Sequence, residues 1–274
     1  MNGIFYHYTD FQALDGILRC AQLRVNNVLR MNDSAEMRHF MGRLSKAIVK
    51  RLEEAGEPEH ARMAAGLFQE ELRKEYSAFA ACFSFRRDDA AQWERYGNRG
   101  RGVCIAFQGE LLRQMAVGPL SLHTVFYEDD MTGHPMVDRF CELARSKEVL
   151  SGADPDVRRA MRDAWACSVA FKHPSFSSED EVRLVVAPFG NETFDMKPCY
   201  HVTKERIKKY YPLDLRNMCR KLGAAMEDLV AEIIIGPEST QSQIMLQDYL
   251  HDQGLGALAE RVSLSDCPLR GMPS

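Results

Sequence analysis

Apolar residues along this chain change their period several times, and each change marks an expected element. Residues 4–8 alternate as a short strand. Thr9 or Asp10 then caps a helix through Arg19 with Leu14, Ile17 and Leu18 as its stripe. A second short strand is expected at 23–25. Asn32-Asp33-Ser34 is a helix-start signal, and Glu36 stands at capping-box spacing from Asp33. That start predicts a long charged helix to about residue 54, and the break at Gly56-Glu57-Pro58 precedes another over 60–76. Their polar faces suggest a lid or peripheral layer. Short bounded apolar runs predict strands at 78–85, 102–107 and 122–127. Between the first two lies a short helix, capped by Asp88 or Asp89 and ended by Gly97.

The second half of the chain continues the mixture. Amphipathic helices are expected at 135–149 and 154–170, and strands from 181, near 200 and over 206–214. A helix over 217–229 leads to a strand at 232–235 that Gly236-Pro237 stops. Ser239 or Thr240 caps a helix to about 251, and 259–264 is the last expected strand. The tail after Cys267 reads as flexible. Strands and helices intermingle without regular βαβ spacing, which predicts an α+β fold. No linker or repeat interrupts the pattern. One domain over 1–266, with a helical insertion at about 33–76 and a tail at 267–274, is therefore expected.

Composition narrows the function classes. The formal net charge is −4, so no global basic field draws in nucleic acid, and such a partner needs a local basic patch. The eight cysteines are scattered and never form Cys-x-x-Cys, as suits reduced thiols in a cytoplasmic protein. The first residues show no basic start or signal-length apolar run. No run approaches the roughly 20 apolar residues of a membrane span.

The familiar chemical motifs are absent. There is no phosphate-binding Gly-x-x-x-x-Gly-Lys loop, no Gly-x-Gly-x-x-Gly after a strand, no nucleophile elbow and no His-Glu-x-x-His. Cys199 and His201 lack the other half of a zinc site, so no metal is expected. Polar and aromatic groups at strand ends remain. Glu181 opens a strand on which it shares a face with Arg183 and Val185, opposite Val182, Leu184 and Val186. His7 lies on the first strand between Tyr6 and Tyr8, and Ser84 ends an apolar strand. Trp93 and Tyr96, three apart on a short helix, form a candidate stacking pair or part of the core. Ser177, Ser178, Glu179 and Asp180 read as a solvated turn.

Taken in order, these segments resemble a known family. His-Tyr-Thr (7–9), Asn-Asp-x-x-Glu (32–36), Cys-Phe-Ser (82–84), Trp-x-x-Tyr (93–96), Lys-x-x-x-Phe-Ser-x-Glu-x-Glu-x-Arg-Leu (172–184) and Ile-Ile-Ile-Gly-Pro (233–237) are similar to the bacterial domain of unknown function 2971. One departure is Val182, where that family often has Trp. The family is similar in layout to ADP-ribosyltransferases of the His-Tyr-Glu type. The resemblance implies a split pair of small β-sheets forming a cleft, with peripheral helices. It further implies NAD as substrate, with Glu181 as the catalytic carboxylate and His7 on a ribose hydroxyl. Tyr96, or else Trp93, would stack on nicotinamide, and Tyr8 and Ser84 would complete the cofactor contacts. Arg183, Arg99, Arg101 or Lys172 would meet the pyrophosphate. A setting in bacterial defence or as a toxin follows by analogy, with a protein or nucleic-acid acceptor. The alternatives are a non-catalytic nucleotide- or nucleic-acid-binding module, and a protein-interaction domain using the helices of 33–76.

Overall fold

The computed structural model describes residues 3–28, 34–74, 78–118, 120–128, 130–186 and 196–268. The Asn32 and Asp33 cap, the expected end of the second long helix at Tyr76 and the last six residues of the tail lie outside these. The chain starts with β1 (Ile4–Thr9), α1 (Phe11–Leu18) and β2 (Gln22–Asn27). The Asp10 side chain accepts from the Ala13 amide at 2.7 Å and so settles which residue caps α1. The long helices α2 (Ser34–Glu54) and α3 (Pro58–Leu72) follow, then β3 (Phe79–Ser84), α4 (Ala90–Arg95) and β4 (Val103–Gln108). The middle of the chain is α5 (Gly109–Met115), β5 (Leu120–Thr124), α6 (Pro135–Ser146), α7 (Pro155–Val169), a 3-10 helix (Pro174–Glu179) and β6 (Glu181–Val186). The remainder is β7 (Cys199–Val202), β8 (Ile207–Asp214), α8 (Leu215–Lys221), α9 (Met226–Leu229), β9 (Val230–Ile235), α10 (Gln243–Asp252), α11 (Gly256–Ala259) and β10 (Val262–Leu264).

Some boundaries differ from the sequence expectation for local reasons. The helix expected over 217–229 is two pieces, because Gly223 takes φ 71° between α8 and α9. Ser242, rather than Ser239 or Thr240, caps α10. α5 begins directly at the end of β4 and has no loop signal to announce it.

The strands form one open ten-stranded sheet in the order β10-β9-β4-β1-β3-β2-β8-β7, with β6 on β3 and β5 on β6. It is an α+β arrangement and the sheet is not a closed barrel. The expected pair of small sheets is instead one continuous sheet, which forks at β3. One edge of β3 pairs with β6 over its whole length, from Phe79↔Val186 to Ser84↔Glu181. The other edge meets β2 at Phe79 and Ala80 and β1 at Ser84. Ala81, Cys82 and Phe83 have no strand opposite them on that edge, among the described residues, because β1 and β2 diverge there.

Two cores flank the sheet. The strand faces carrying Phe5, Phe79, Phe83, Ile105, Val182 and Leu184 pack under α1, α5 and α8 to α11. On the opposite face, α2, α3, α6 and α7 pack together over Ala80 and Val185. The alternation expected for β6 holds: Val182, Leu184 and Val186 enter the first core and Val185 the second. α2 and α3 are therefore half of a four-helix layer whose other members come from the middle of the chain.

Candidate functional site: a cavity at the fork of the sheet

A cavity of about 520 Å³ opens where β1 and β2 part, within the range of ordinary small-molecule sites. His7, Tyr8, Ser84, Tyr96, Lys172, Glu179 and Glu181 all contribute to its lining, together with residues of α1, β2 and β8. Two groups separated by most of the chain, the His7 imidazole and the Glu181 carboxylate, thus share one hollow. β1 and β6 both lie on β3, and the Tyr6↔Ser84 and Ser84↔Glu181 pairs fix them at the same end of that strand.

His7 bridges the fork. Its Nδ1 donates to the Cys82 carbonyl at 2.8 Å, in the stretch of β3 that has no strand on that side. The ring packs against Phe83 and Phe107 at centroid distances of 5.6 and 6.4 Å. Burial pushes its pKa below the ordinary imidazole value, outweighing the hydrogen bond to Cys82 and the charge of Asp10. A neutral ring with the proton on Nδ1 keeps Nε2 as an acceptor for a ligand hydroxyl.

Glu181 is 6% exposed and held from three sides. Arg183 grips both carboxylate oxygens, Nε to Oε1 and Nη2 to Oε2, each at 2.9 Å, and Lys172 Nζ reaches Oε2 at 3.3 Å. The Glu181 amide donates to the Tyr127 hydroxyl at 2.9 Å, and burial pushes that phenol up to about 12. Burial alone raises the Glu181 pKa. The charges of Arg183 and Lys172, with hydrogen bonds from Arg183 and the Cys82 thiol, outweigh it, so the carboxyl is held below its ordinary range as an anion.

Glu179 corrects the sequence reading. It stands 3% exposed in place of a solvated turn. Lys172 Nζ donates to its Oε2 at 2.6 Å, and Arg95 Nη1 and the Tyr96 hydroxyl donate to its Oε1 at 2.7 and 3.0 Å. Its backbone carbonyl accepts from Ser84 Oγ at 2.6 Å and from Gln92 Nε2 at 3.1 Å. Lys172 therefore lies between two carboxylates, and Arg183 completes a chain of alternating charges. The spacing Glu-x-Glu carried the signal. Four consecutive polar residues concealed it, because hydrophilicity alone does not separate a solvated turn from a buried ion-pair cluster.

The aromatic and cationic assignments also need correction. Trp93 is 0% exposed and packs edge-on against Tyr8 at 4.9 Å, among Cys104 and Ile234, and its Nε1 donates to Asp88 at 2.7 Å. It is a core residue and does not line the cavity. Tyr96, at the end of the same helix, is 44% exposed and is the ring available there for stacking. The Tyr8 hydroxyl donates to the Arg86 carbonyl at 2.7 Å and accepts from the Asp89 amide at 3.0 Å. Ser84 Oγ likewise serves the chain itself, donating to Glu179 and accepting from the Arg86 amide at 3.0 Å. Arg183 is 2% exposed and spends its donors on Glu181 and the Val169 carbonyl, 2.8 Å away, so it is no cavity-lining phosphate ligand. Arg99 and Arg101 stand on a tight turn outside the cavity. That turn packs so closely that a Cβ on Gly102 would lie 2.1 Å from the Thr9 carbonyl oxygen.

Sequence reasoning named Lys172 but missed the other cations that line the cavity. These are Arg24 of β2, Arg206, and Lys208 and Lys209 of β8. Five cations against the carboxylates of Asp10, Glu179 and Glu181 make the lining net positive in a chain of net charge −4. Among the described residues, no ion pair engages Arg24, Arg206, Lys208 or Lys209. No group of His, Cys, Asp and Glu suited to a metal ion occurs among the described residues. No helix there is long and apolar enough to cross a membrane.

Comparison with known proteins bears on part of this site. Residues 92–184 match the model of the family described as Protein of unknown function (DUF2971). The matched stretch runs from α4 into β6 and includes Tyr96, Lys172, Glu179, Glu181 and Arg183. It leaves out His7 and the basic residues of β2 and β8. No curated protein and no solved structure matches the chain.

Proposed function

We propose that this protein takes NAD into the forked-sheet cavity and breaks its nicotinamide–ribose bond, passing ADP-ribose to an acceptor or to water. The observation that carries this reading is that His7, Tyr96 and Glu181 line one cavity of about 520 Å³. In this reading Nε2 of the neutral His7 accepts from a ribose hydroxyl, and Tyr96 stacks on the departing ring. Glu181 bonds the 2′-hydroxyl and faces the positive charge that builds on the sugar as the glycosidic bond lengthens. The bond's electron pair leaves with nicotinamide, which becomes neutral, so no acid is required. The acceptor's oxygen or nitrogen then bonds to C1′ and releases a proton.

The fixed geometry of Glu181 supports this role. Arg183 and Lys172 hold the carboxylate as an anion and leave it little freedom to rotate. Such preorganisation is what makes an electrostatic contact effective in a desolvated site. The net positive lining suits the pyrophosphate, and the cations of β2 and β8, which no carboxylate among the described residues engages, take the place that Arg183, Arg99 and Arg101 vacate.

The test is release of nicotinamide from NAD by the intact protein, with Glu181→Gln beside it. Release is expected from the native chain and a fall of about 100-fold or more from the variant, the scale of losing one key transition-state contact. NAD binding without any release, with cell lysate supplied as acceptor, would leave a non-catalytic nucleotide-binding module.

A further inference from the structure

The basic patch that the net charge demands of any nucleic-acid binder is present, and it adjoins the cavity. Lys197, Lys204, Arg206, Lys208 and Lys209 fall within residues 197–211, where Glu205 is the sole acid. Lys197 leads into the hairpin of β7 and β8, which displays the other four at the end of the sheet order. Lys197, Lys204 and Arg206 are exposed, and Arg206, Lys208 and Lys209 also line the cavity. The register Tyr200↔Lys209 puts an aromatic ring, 62% exposed, beside one of these ammonium groups. On the neighbouring strand, Arg24 lies over the Tyr210 ring at 5.0 Å and adds to the same charged wall.

We propose that this hairpin binds a single strand of nucleic acid and leads it to the cavity as the acceptor. A strand needs a groove of positive charge for its phosphates and an exposed ring for a base to stack on. The hairpin offers both, whereas the two phosphates of a dinucleotide would occupy only part of its cations. Continuity matters as much as charge: Arg206, Lys208 and Lys209 belong both to the hairpin and to the lining that includes Tyr96 and Glu181. The acceptor role rests on the NAD reading above, whereas binding of the strand does not. In the transfer the C1′–nitrogen bond to nicotinamide breaks, and a nitrogen or oxygen of the strand bonds to C1′ and loses its proton to solvent.

The experiment has two arms. In the first, fluorescence anisotropy follows labelled DNA and RNA single strands of about ten nucleotides, within the usual site size. Log affinity is expected to fall with log salt concentration by about 0.7 per phosphate contact. The triple variant Arg206→Gln/Lys208→Gln/Lys209→Gln should bind at least about tenfold more weakly, with a slope shallower by about 2. Tyr200→Ala should weaken binding about tenfold with its slope unchanged. Thermal melts confirm that each variant is folded. No salt-dependent binding overturns the proposal. So does equal binding by the triple variant, or an affinity no greater than that for ADP, which would give the cations to the cofactor alone. In the second arm the native chain receives strand and NAD together, and the strand should gain ADP-ribose. Nicotinamide release with a bound but unmodified strand overturns the acceptor role. Absence of release altogether defeats the NAD reading and leaves the first arm to decide on binding.

Discussion

The two ends of the cavity handle charge in opposite ways. At one end, Glu179 and Glu181 are buried, and every carboxylate oxygen is engaged by Arg95, Tyr96, Lys172 or Arg183. At the other, Arg24, Lys208 and Lys209 stand on strands and Arg206 on the turn before β8, with no carboxylate among the described residues holding them. Ions removed from water must be matched within the protein or the fold loses several kcal/mol. Ions at the surface bear no such cost and can wait for a ligand. The closed end is therefore fixed in geometry, and the open end keeps its charge facing the cavity.

Substitutions can break this contrast. The largest effect is expected for Arg183→Leu, which strands Glu181 without its bidentate partner. A loss of about 3–5 kcal/mol in a denaturant melt is expected, and a loss below 1 kcal/mol would mean that the closed end is not a matched ion cluster. Tyr96→Phe removes one donor to Glu179 and keeps the ring. It should cost about 1 kcal/mol of stability, while nicotinamide release, if stacking is the ring's task, stays within about threefold of native, a difference of about 0.6 kcal/mol.

Acid should reveal His7 with a smaller amplitude. Its folded pKa lies below the ordinary 6.5, so the unfolded chain binds the proton first. The stability owed to the neutral ring is complete above 6.5, and it declines as the pH falls from there until the folded imidazole also titrates. His123 and His134 are lowered by burial as well. The informative quantity is therefore the difference between native and His7→Gln melts from pH 7.5 to 5, and a flat difference would contradict the burial of His7. The smallest effect belongs to the open end. Lys208→Gln should change stability by no more than about 0.5 kcal/mol, and a larger loss would show that β8 uses its charge for folding.

The sequence disclosed these regions unequally, for physical reasons. The helices of the four-helix layer and the strands β3, β4, β6 and β9 are written in apolar periodicity, which burial enforces residue by residue. The pairing of α6 and α7 with α2 and α3 is not, because a stripe records that a face is covered and says nothing of the partner. His7 and Glu181 were legible as polar residues at strand ends. Trp93 misled because helical spacing alone does not tell a buried ring from an exposed one, and Tyr96 three residues on has the opposite environment. Glu179 misled because its partners Arg95, Tyr96 and Lys172 come from elsewhere in the chain. Arg183 looked like a ligand-binding cation for the same reason: its buried surroundings on two strands and α7 have no local trace. The open end went unnoticed because Lys208 and Lys209 are ordinary strand charges until β2 is set beside them.

Asp180 takes φ 46° between the 3-10 helix and β6, a left-handed conformation unusual for a residue with a side chain. This single kink turns Asp180 outward toward Arg86, 3.5 Å away, while its two neighbours point inward. The distance between the paired acids thus depends on one backbone pivot as well as on the Lys172 bridge between their carboxylates. A glycine at 180 would keep the pivot, and a β-branched residue would not. Tuning of this site, whether by selection or by design, can act through one torsion angle and leave every ionisable group unchanged.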